Sequence, residues 1–223
     1  MSENLDTKAL LRLMAWLSPA FPVGGFAYSG GLERAVHDGL VKDAAGLSGW
    51  LSSLLRHGSL WNDAVLFAEA WRRFEDEGGL KATAELGLAL AGSAERHMET
   101  LSLGKAFATA ASAWPHPVLD RLPPAVPFPV VVGAIAAAHG VTAAPALAAY
   151  LHAAVSQSVS AGIRLGVSGQ AEGVAMLAGI EALIIEIAER ASKTTLDDLG
   201  GAAVQAEIAS LRHETQHSRL FRS

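Results

Sequence analysis

The sequence predicts an all-α fold, a single-domain bundle of about eight to ten helices, on three observations. Apolar residues recur at i, i+3, i+4 and i+7, the spacing of one helix face. Strand-like alternation over several residues is absent. Hydrophobic residues make up 51% of the 223, much of that alanine, and charged residues only 17%, below the usual quarter. A chain this apolar hides much of its surface in a core, in a partner, or in both.

The elements follow in order. Helices are expected at 7–17 and 31–39. A helix at 43–57 follows from Leu47, Trp50, Leu51, Leu54 and Leu55, a stripe that Trp61 continues. Phe67, Ala70, Trp71 and Phe74 repeat the spacing over 62–76, with Glu69, Arg72 and Arg73 on other faces. Charges and a double glycine from Glu75 to Gly79 are read as its end. The segment 80–111 is helical, with a break expected near Gly92 or Gly104. From Trp114-Pro115-His116-Pro117 to Pro129 the chain is proline-rich and expected to be extended.

Helices follow at 129–139, 143–164 and 169–192. The last two are rich in Ala, Gly and Ser, and small residues let helix backbones approach closely. Such a face packs inside the chain or against a twin subunit. Met176, Ile180, Leu183, Ile184 and Ile187 form the apolar stripe of 169–192, and Val204, Ile208 and Leu211 begin that of a last helix at 201–217. Loops are expected at 18–30, 112–128 and 193–200. The proline-rich stretch is the one candidate domain boundary. Both sides of it are helical with similar composition, so residues 1–223 are read as one domain without internal repeats.

A net charge of −5 and a pI near 5.9 argue against a nucleic-acid binder, which carries a basic stripe. The absence of cysteine rules out disulfides and thiolate metal sites and fits a reducing cytosol. The start, Met1 to Asp6, lacks a basic region followed by an apolar one, so no signal peptide is expected. No Asp, Glu, Lys or Arg lies between Arg121 and Arg164, but prolines and glycines interrupt that stretch. Buried helices are therefore expected there, not a membrane span.

Three segments carry candidate function. The first, Ser18 to Glu33, interleaves two prolines and four glycines with Phe21, Phe26 and Tyr28. It either folds back to plug the core with its aromatics or offers a preorganised surface to a partner. Its glycines do not form a phosphate loop, and Gly104-Lys105 lacks the rest of that motif. The second, Arg164-Leu165-Gly166-Val167-Ser168-Gly169-Gln170, resembles a nucleophile elbow only superficially. That motif needs Gly-x-Ser-x-Gly after a strand, and position 170 is Gln in a helical context. Arg164 and Gln170 frame a polar break, either a turn whose Arg caps carbonyls or a polar patch at an interface.

The third is the ending. His213-Glu214-Thr215-Gln216-His217 satisfies HExxH, which on a helix sets two zinc-binding imidazoles one turn apart around a glutamate base. A catalytic zinc needs a third protein ligand. Only six residues follow His217, none of them His, Glu or Asp. Nothing in the spacing of His37, His57, His97, His116, His139 or His152 favours an upstream ligand. His213 and His217 thus stand as weak metal candidates, the alternative being a final helix whose polar side carries both rings. Arg219, Leu220, Phe221, Arg222 and Ser223 combine guanidinium groups with large apolar side chains, the types that anchor interfaces. No catalytic residue is assigned.

Together these segments resemble the UreF family of urease accessory proteins. The resemblance rests on Ser18 to Gly24 with Tyr28-Ser29 and Gly31-Leu32-Glu33, and on Arg164-Leu165 with Gly169-Gln170. It rests also on Leu196 to Gly200 and on His213 to Gln216 with Ser218 to Ser223, and more faintly on Leu101 to Gly104. The matches are in order and span nearly the whole chain. Three positions depart: Gly30 stands where the family typically has His, Val167-Ser168 where it has Pro-Leu, and His217 where an aromatic is usual. The last departure creates the HExxH, which is therefore read as accidental.

The resemblance implies an all-helical, dimeric cytoplasmic protein, not an enzyme. It implies a chaperone that helps assemble the nickel centre of urease by bridging UreD (UreH) and the GTPase UreG to apo-urease. It would regulate GTP hydrolysis or give nickel a protected path, with no tightly bound cofactor. Phe21, Phe26, Tyr28, Glu33, Arg164, Gln170, Arg219, Leu220, Phe221, Arg222 and Ser223 are the expected partner-binding residues. Removing the last five residues is expected to spare the fold and weaken the complex with UreD. The alternatives are a zinc metallohydrolase using His213, Glu214 and His217, and a helical interaction module unrelated to urease.

Overall fold

A computed structural model describes residues 6–223. Residues 1–5, most of the stretch read for a leader, lie outside it. The described residues form α-helices joined by turns and loops, with two short 3₁₀ turns and no strand. The helices are α1 (Thr7–Trp16), α2 (Leu32–His37), α3 (Ala44–His57), α4 (Ser59–Arg72), α5 (Glu77–Ala89) and α6 (Ala94–Ala111). They continue as α7 (Val118–Arg121), α8 (Phe128–Ala138), α9 (Ala143–Arg164), α10 (Gln170–Ala191) and α11 (Val204–His213).

Helices α4 and α8 lie at the centre. On α4 every residue from Leu60 to Ala70 is buried except Asn62 and Glu69, and on α8 every residue from Pro129 to Ala136 is buried. A helix apolar on all sides belongs inside the fold. This explains the uncharged stretch after Arg121, which folds as the inner helix α8 and the inward half of α9. Gly133 lets α8 approach α4 closely, because a Cβ there would collide with the Phe67 carbonyl. Around this pair α3, α9 and α10 pack through Leu47, Leu51, Leu55, Leu147, Leu151, Ile180, Ile184 and Ile187.

The expected helices are present with shifted ends, and side-chain caps account for the shifts at the starts of α5 and α6. The double glycine at 78–79 was read as ending α4, but it lies in the first turn of α5. Asp76 makes it a start: its Oδ1 accepts the Gly79 amide at 2.9 Å. Segment 80–111 breaks at Gly92, where Ser93 caps α6 by accepting the Arg96 amide at 3.1 Å. The proline-rich loop contains the single turn α7. The last helix spans 204–213, shorter than the expected 201–217. Among the described residues no helix is long and apolar enough to cross a membrane.

Candidate functional site

Three carboxylates and one imidazole gather where α2, α6 and α11 meet. Glu33 lies in the first turn of α2 and is buried. Gly31, at φ +81°, caps that helix and lets the chain pass the backbone of Ser210 on α11, where a Cβ would come within 2.9 Å of the Ser210 nitrogen. Glu95 and Glu99 stand one turn apart on α6, both buried, so they share a face. His213 ends α11 and is fully buried.

Its ring bridges two of the acids. Nδ1 lies 2.6 Å from Glu95 Oε2, and Nε2 lies 3.2 Å from Glu33 Oε2. The remaining acceptor capacity is taken by the C-terminal tail. Glu33 accepts the amides of Leu220 at 2.8 Å and Phe221 at 2.9 Å. Arg219 pairs with Glu95 at 2.5 Å. The Ser223 hydroxyl meets Glu99 at 3.0 Å. Burial alone would raise the pKa of Glu33, but the two tail amides and His213 outweigh it, and the group sits below its ordinary value.

The tail also pairs with the first flagged segment. The Ser29 amide donates to the Ser223 carbonyl at 2.9 Å, and the Arg222 amide donates to the Ala27 carbonyl at 2.8 Å. The Ser29 hydroxyl contacts the same Ser223 carbonyl, and the Gly30 amide donates to the Ser223 hydroxyl at 3.3 Å. Arg164 joins the second segment to both: its Nη1 donates to the Phe26 carbonyl at 2.6 Å, and its guanidinium lies 4.1 Å from the Phe221 ring centre. Gln157 on α9 steadies the same loop by donating to the Gly25 carbonyl at 2.6 Å.

Beneath the tail runs a second buried network. Arg96 Nη2 lies 2.6 Å from Asp63 Oδ2, the Tyr150 hydroxyl donates to that oxygen at 3.1 Å, and Arg96 Nη1 lies 3.5 Å from Glu99. Burial raises the Glu99 pKa despite Arg96. Burial would lower Arg96, yet Asp63 and Glu99 keep it firmly charged. Tyr150 is pushed well above its ordinary value by burial and then by Asp63. A small cavity of mixed lining, with Leu54, Leu66 and Pro127 beside Gly30, Asp63, Arg96 and Glu207, adjoins this network.

The structure thus brings together the three segments flagged from the sequence, but it divides their residues. Tyr28, Glu33, Phe221 and Ser223 are buried within this chain. Phe21 is half-buried and packs on Phe107 at 5.2 Å, so the first loop does plug the core in part. Phe26, at 75% exposure, and Leu220, at 55%, face outward, as do Arg164, Gln170, Arg219 and Arg222. Gln170 opens α10, away from the tail contacts described above.

The HExxH does not form its metal geometry. Its helix stops at His213, Thr215 and Gln216 lie in and beyond a turn, and His217 is on the surface. Both nitrogens of His213 already face carboxylates. Among the described residues no group of three or more His, Asp or Glu is placed to hold a metal ion.

Sequence reasoning missed Glu95, Glu99, Asp63, Arg96 and Tyr150. Two signals pointed there: Glu95 and Glu99 at i, i+4, and Asp63 as the one charged residue in the stretch from Leu60 to Ala68.

The fold and this site define an all-α protein whose C-terminal tail is folded into its own body and ties distant segments together. The chain belongs to the UreF family, whose model matches residues 41–181. It is 66% identical to the urease accessory protein UreF of Agrobacterium fabrum over the full length of both chains. Identity to proteins of the same name is 61% in Rhizobium etli and 58% in Mesorhizobium japonicum, again over the whole of each. It is thereby placed among the urease accessory proteins.

Proposed function

We propose that this chain serves urease maturation as a non-enzymatic cytoplasmic scaffold. It holds UreD (UreH) and the GTPase UreG in one assembly with apo-urease, and it works as a homodimer. The observation that carries this reading is the split of the tail into alternating inward and outward side chains. Phe221 and Ser223 anchor the tail, while Leu220 and Arg222 stay exposed, Arg222 bonded to the loop that carries exposed Phe26. Apolar and guanidinium groups on a rigid, pre-ordered strip lose little entropy on binding.

UreD is the partner assigned to this strip. Nickel is cargo in transit, not a resident ion. The cavity near Gly30 offers Asp63 and Glu207, but the Arg96 guanidinium paired with Asp63 opposes a fixed cation. That arrangement suits passage along a route shared with a partner, or control of the GTPase, better than storage.

The test is a pull-down with UreD, UreG and apo-urease, with and without GTP. Phe26→Ala and Leu220→Asp change exposed side chains only. Each is expected to leave the helical signal and melting temperature of the chain unchanged and to weaken UreD capture at least tenfold. Undiminished capture by both variants would remove the strip from the interface. Metal analysis of the purified chain, expected to show well under one zinc per chain, separates the scaffold from a zinc hydrolase.

A further inference from the structure

The bridge at His213 has a proton count. A neutral imidazole carries one N–H and one lone pair, and an ionised carboxylate only accepts. Here both ring nitrogens face carboxylate oxygens, at 2.6 Å from Glu95 and 3.2 Å from Glu33. With a neutral ring and two ionised acids, one nitrogen lone pair would point at an anion inside a site closed to water. One more proton satisfies every atom. Glu33 is kept ionised by the amides of Leu220 and Phe221, and Glu95 pairs with Arg219. The extra proton therefore resides on the ring.

The same two carboxylates hold the tail. We propose that the C-terminal tail is a proton-linked latch: an imidazolium at His213 locks Glu33 and Glu95 in the positions that grip residues 219–221, and loss of its proton frees them. The other charged groups around the ring have their own partners. Arg34 and Arg212 pair with Asp38, beside His37, on the outer face of α2 and α11. Glu99 meets Ser223 and Arg96, and Glu214 accepts the Ala94 amide at 2.7 Å. The contacts of the ring itself are Glu33 and Glu95.

Because docking takes up one proton, the docking constant falls as the pH rises, by at most tenfold per pH unit. The test is amide hydrogen exchange of Leu220 and Phe221 followed by NMR in the isolated full-length chain between pH 6.5 and 9. Rates are divided by those of an unstructured peptide at each pH. The expected result is protection of both amides that falls toward tenfold per pH unit at the alkaline end, while amides of α8 hold theirs. His213→Gln removes the titrating ring and should give flat protection.

Glu95→Gln is the second variant. Its side-chain amide donates to Nδ1, so a neutral ring is satisfied; losing the charge opposite Arg219 lowers protection at every pH, but protection should no longer fall toward pH 9. Protection independent of pH in the parent chain, or the parental slope retained in Glu95→Gln, overturns the latch. Neither measurement involves urease or its accessory proteins, so failure here is distinct from failure of the scaffold reading.

Discussion

The guanidinium of Arg164 stacks 4.1 Å from the ring centre of Phe221, and through that contact the turn after α9 holds down the end of the chain. The same group donates to the Phe26 carbonyl, so one side chain clamps two segments. Replacing buried Phe221 by Ala should cost about 3 kcal/mol of stability, since the ring fills a packed site. Arg164→Lys keeps the charge but loses the plane that stacks, and should cost about 1 kcal/mol. Urea unfolding of the two variants checks both the values and their order.

The buried pair Asp63–Arg96 should be sensitive to removal of one partner. Asp63→Ala leaves the Arg96 guanidinium with only the longer contact to Glu99 at 3.5 Å, a change that should cost about 3 kcal/mol. Tyr150→Phe deletes one donor to an oxygen that keeps Arg96, and should cost about 1 kcal/mol. Chemical denaturation distinguishes them. Equal losses would mean that the hydroxyl, not the ion pair, organises the network.

Removal of residues 219–223 strips partners from Glu33, Glu95 and Glu99 at once. The expectation from sequence that this truncation spares the fold is therefore revised. Each buried carboxylate left short of partners costs about 1–3 kcal/mol. The truncated chain should melt at least 10 °C lower by circular dichroism, and weakened UreD capture by it would report instability as well as lost contact.

Acid should loosen the molecule at two places with different onsets. The imidazole of His139 is held neutral, its pKa lowered to about 4 by burial, then by Arg12, His116 and Lys8. The unfolded chain takes up this proton near pH 6.5 and the folded chain only near 4, so stability is full above 6.5 and declines between the two. Glu33, with its lowered pKa, contributes above the ordinary value of 4.5 and is lost as the pH falls further. Melting temperatures from pH 7.5 to 4 should fall in that order, and His139→Asn should flatten the first decline only.

Much of this architecture was legible because helical periodicity reports burial directly. The stripes of Leu47 to Leu55 and Met176 to Ile187 lie on the buried faces of α3 and α10. Helix ends were less legible, since Asp76 and Ser93 act through single hydrogen bonds that no periodicity reveals. The candidate site was half legible. Unusual composition marked the first loop, the Arg164 turn and the tail. Their meeting point depends on contacts such as Glu33–His213, between residues 180 positions apart. The Arg and aromatic content of the tail suits an interface and by itself points outward. Inside the fold the same content serves Glu95 and the Arg164 stack.

Gly30 stands where the family typically carries His, and the geometry says what restoring it would do. Its φ is +59°, in the left-handed region, and a Cβ there would meet nothing within 4 Å. An added side chain is therefore limited by backbone strain and not by space. Histidine tolerates this region better than β-branched residues do, and Gly30→His should cost only about 1 kcal/mol. The Gly30 amide would still donate to the Ser223 hydroxyl, so exchange protection of Leu220 and Phe221 should be unchanged at pH 7. Position 30 itself lines the cavity that holds Asp63 and Arg96. If this part of the loop faces a partner, Gly30→His alters UreD capture while melting shifts by only a few degrees. A loss of several kcal/mol in urea unfolding would show instead that the loop cannot bear a side chain, and that the tail needs glycine at this position.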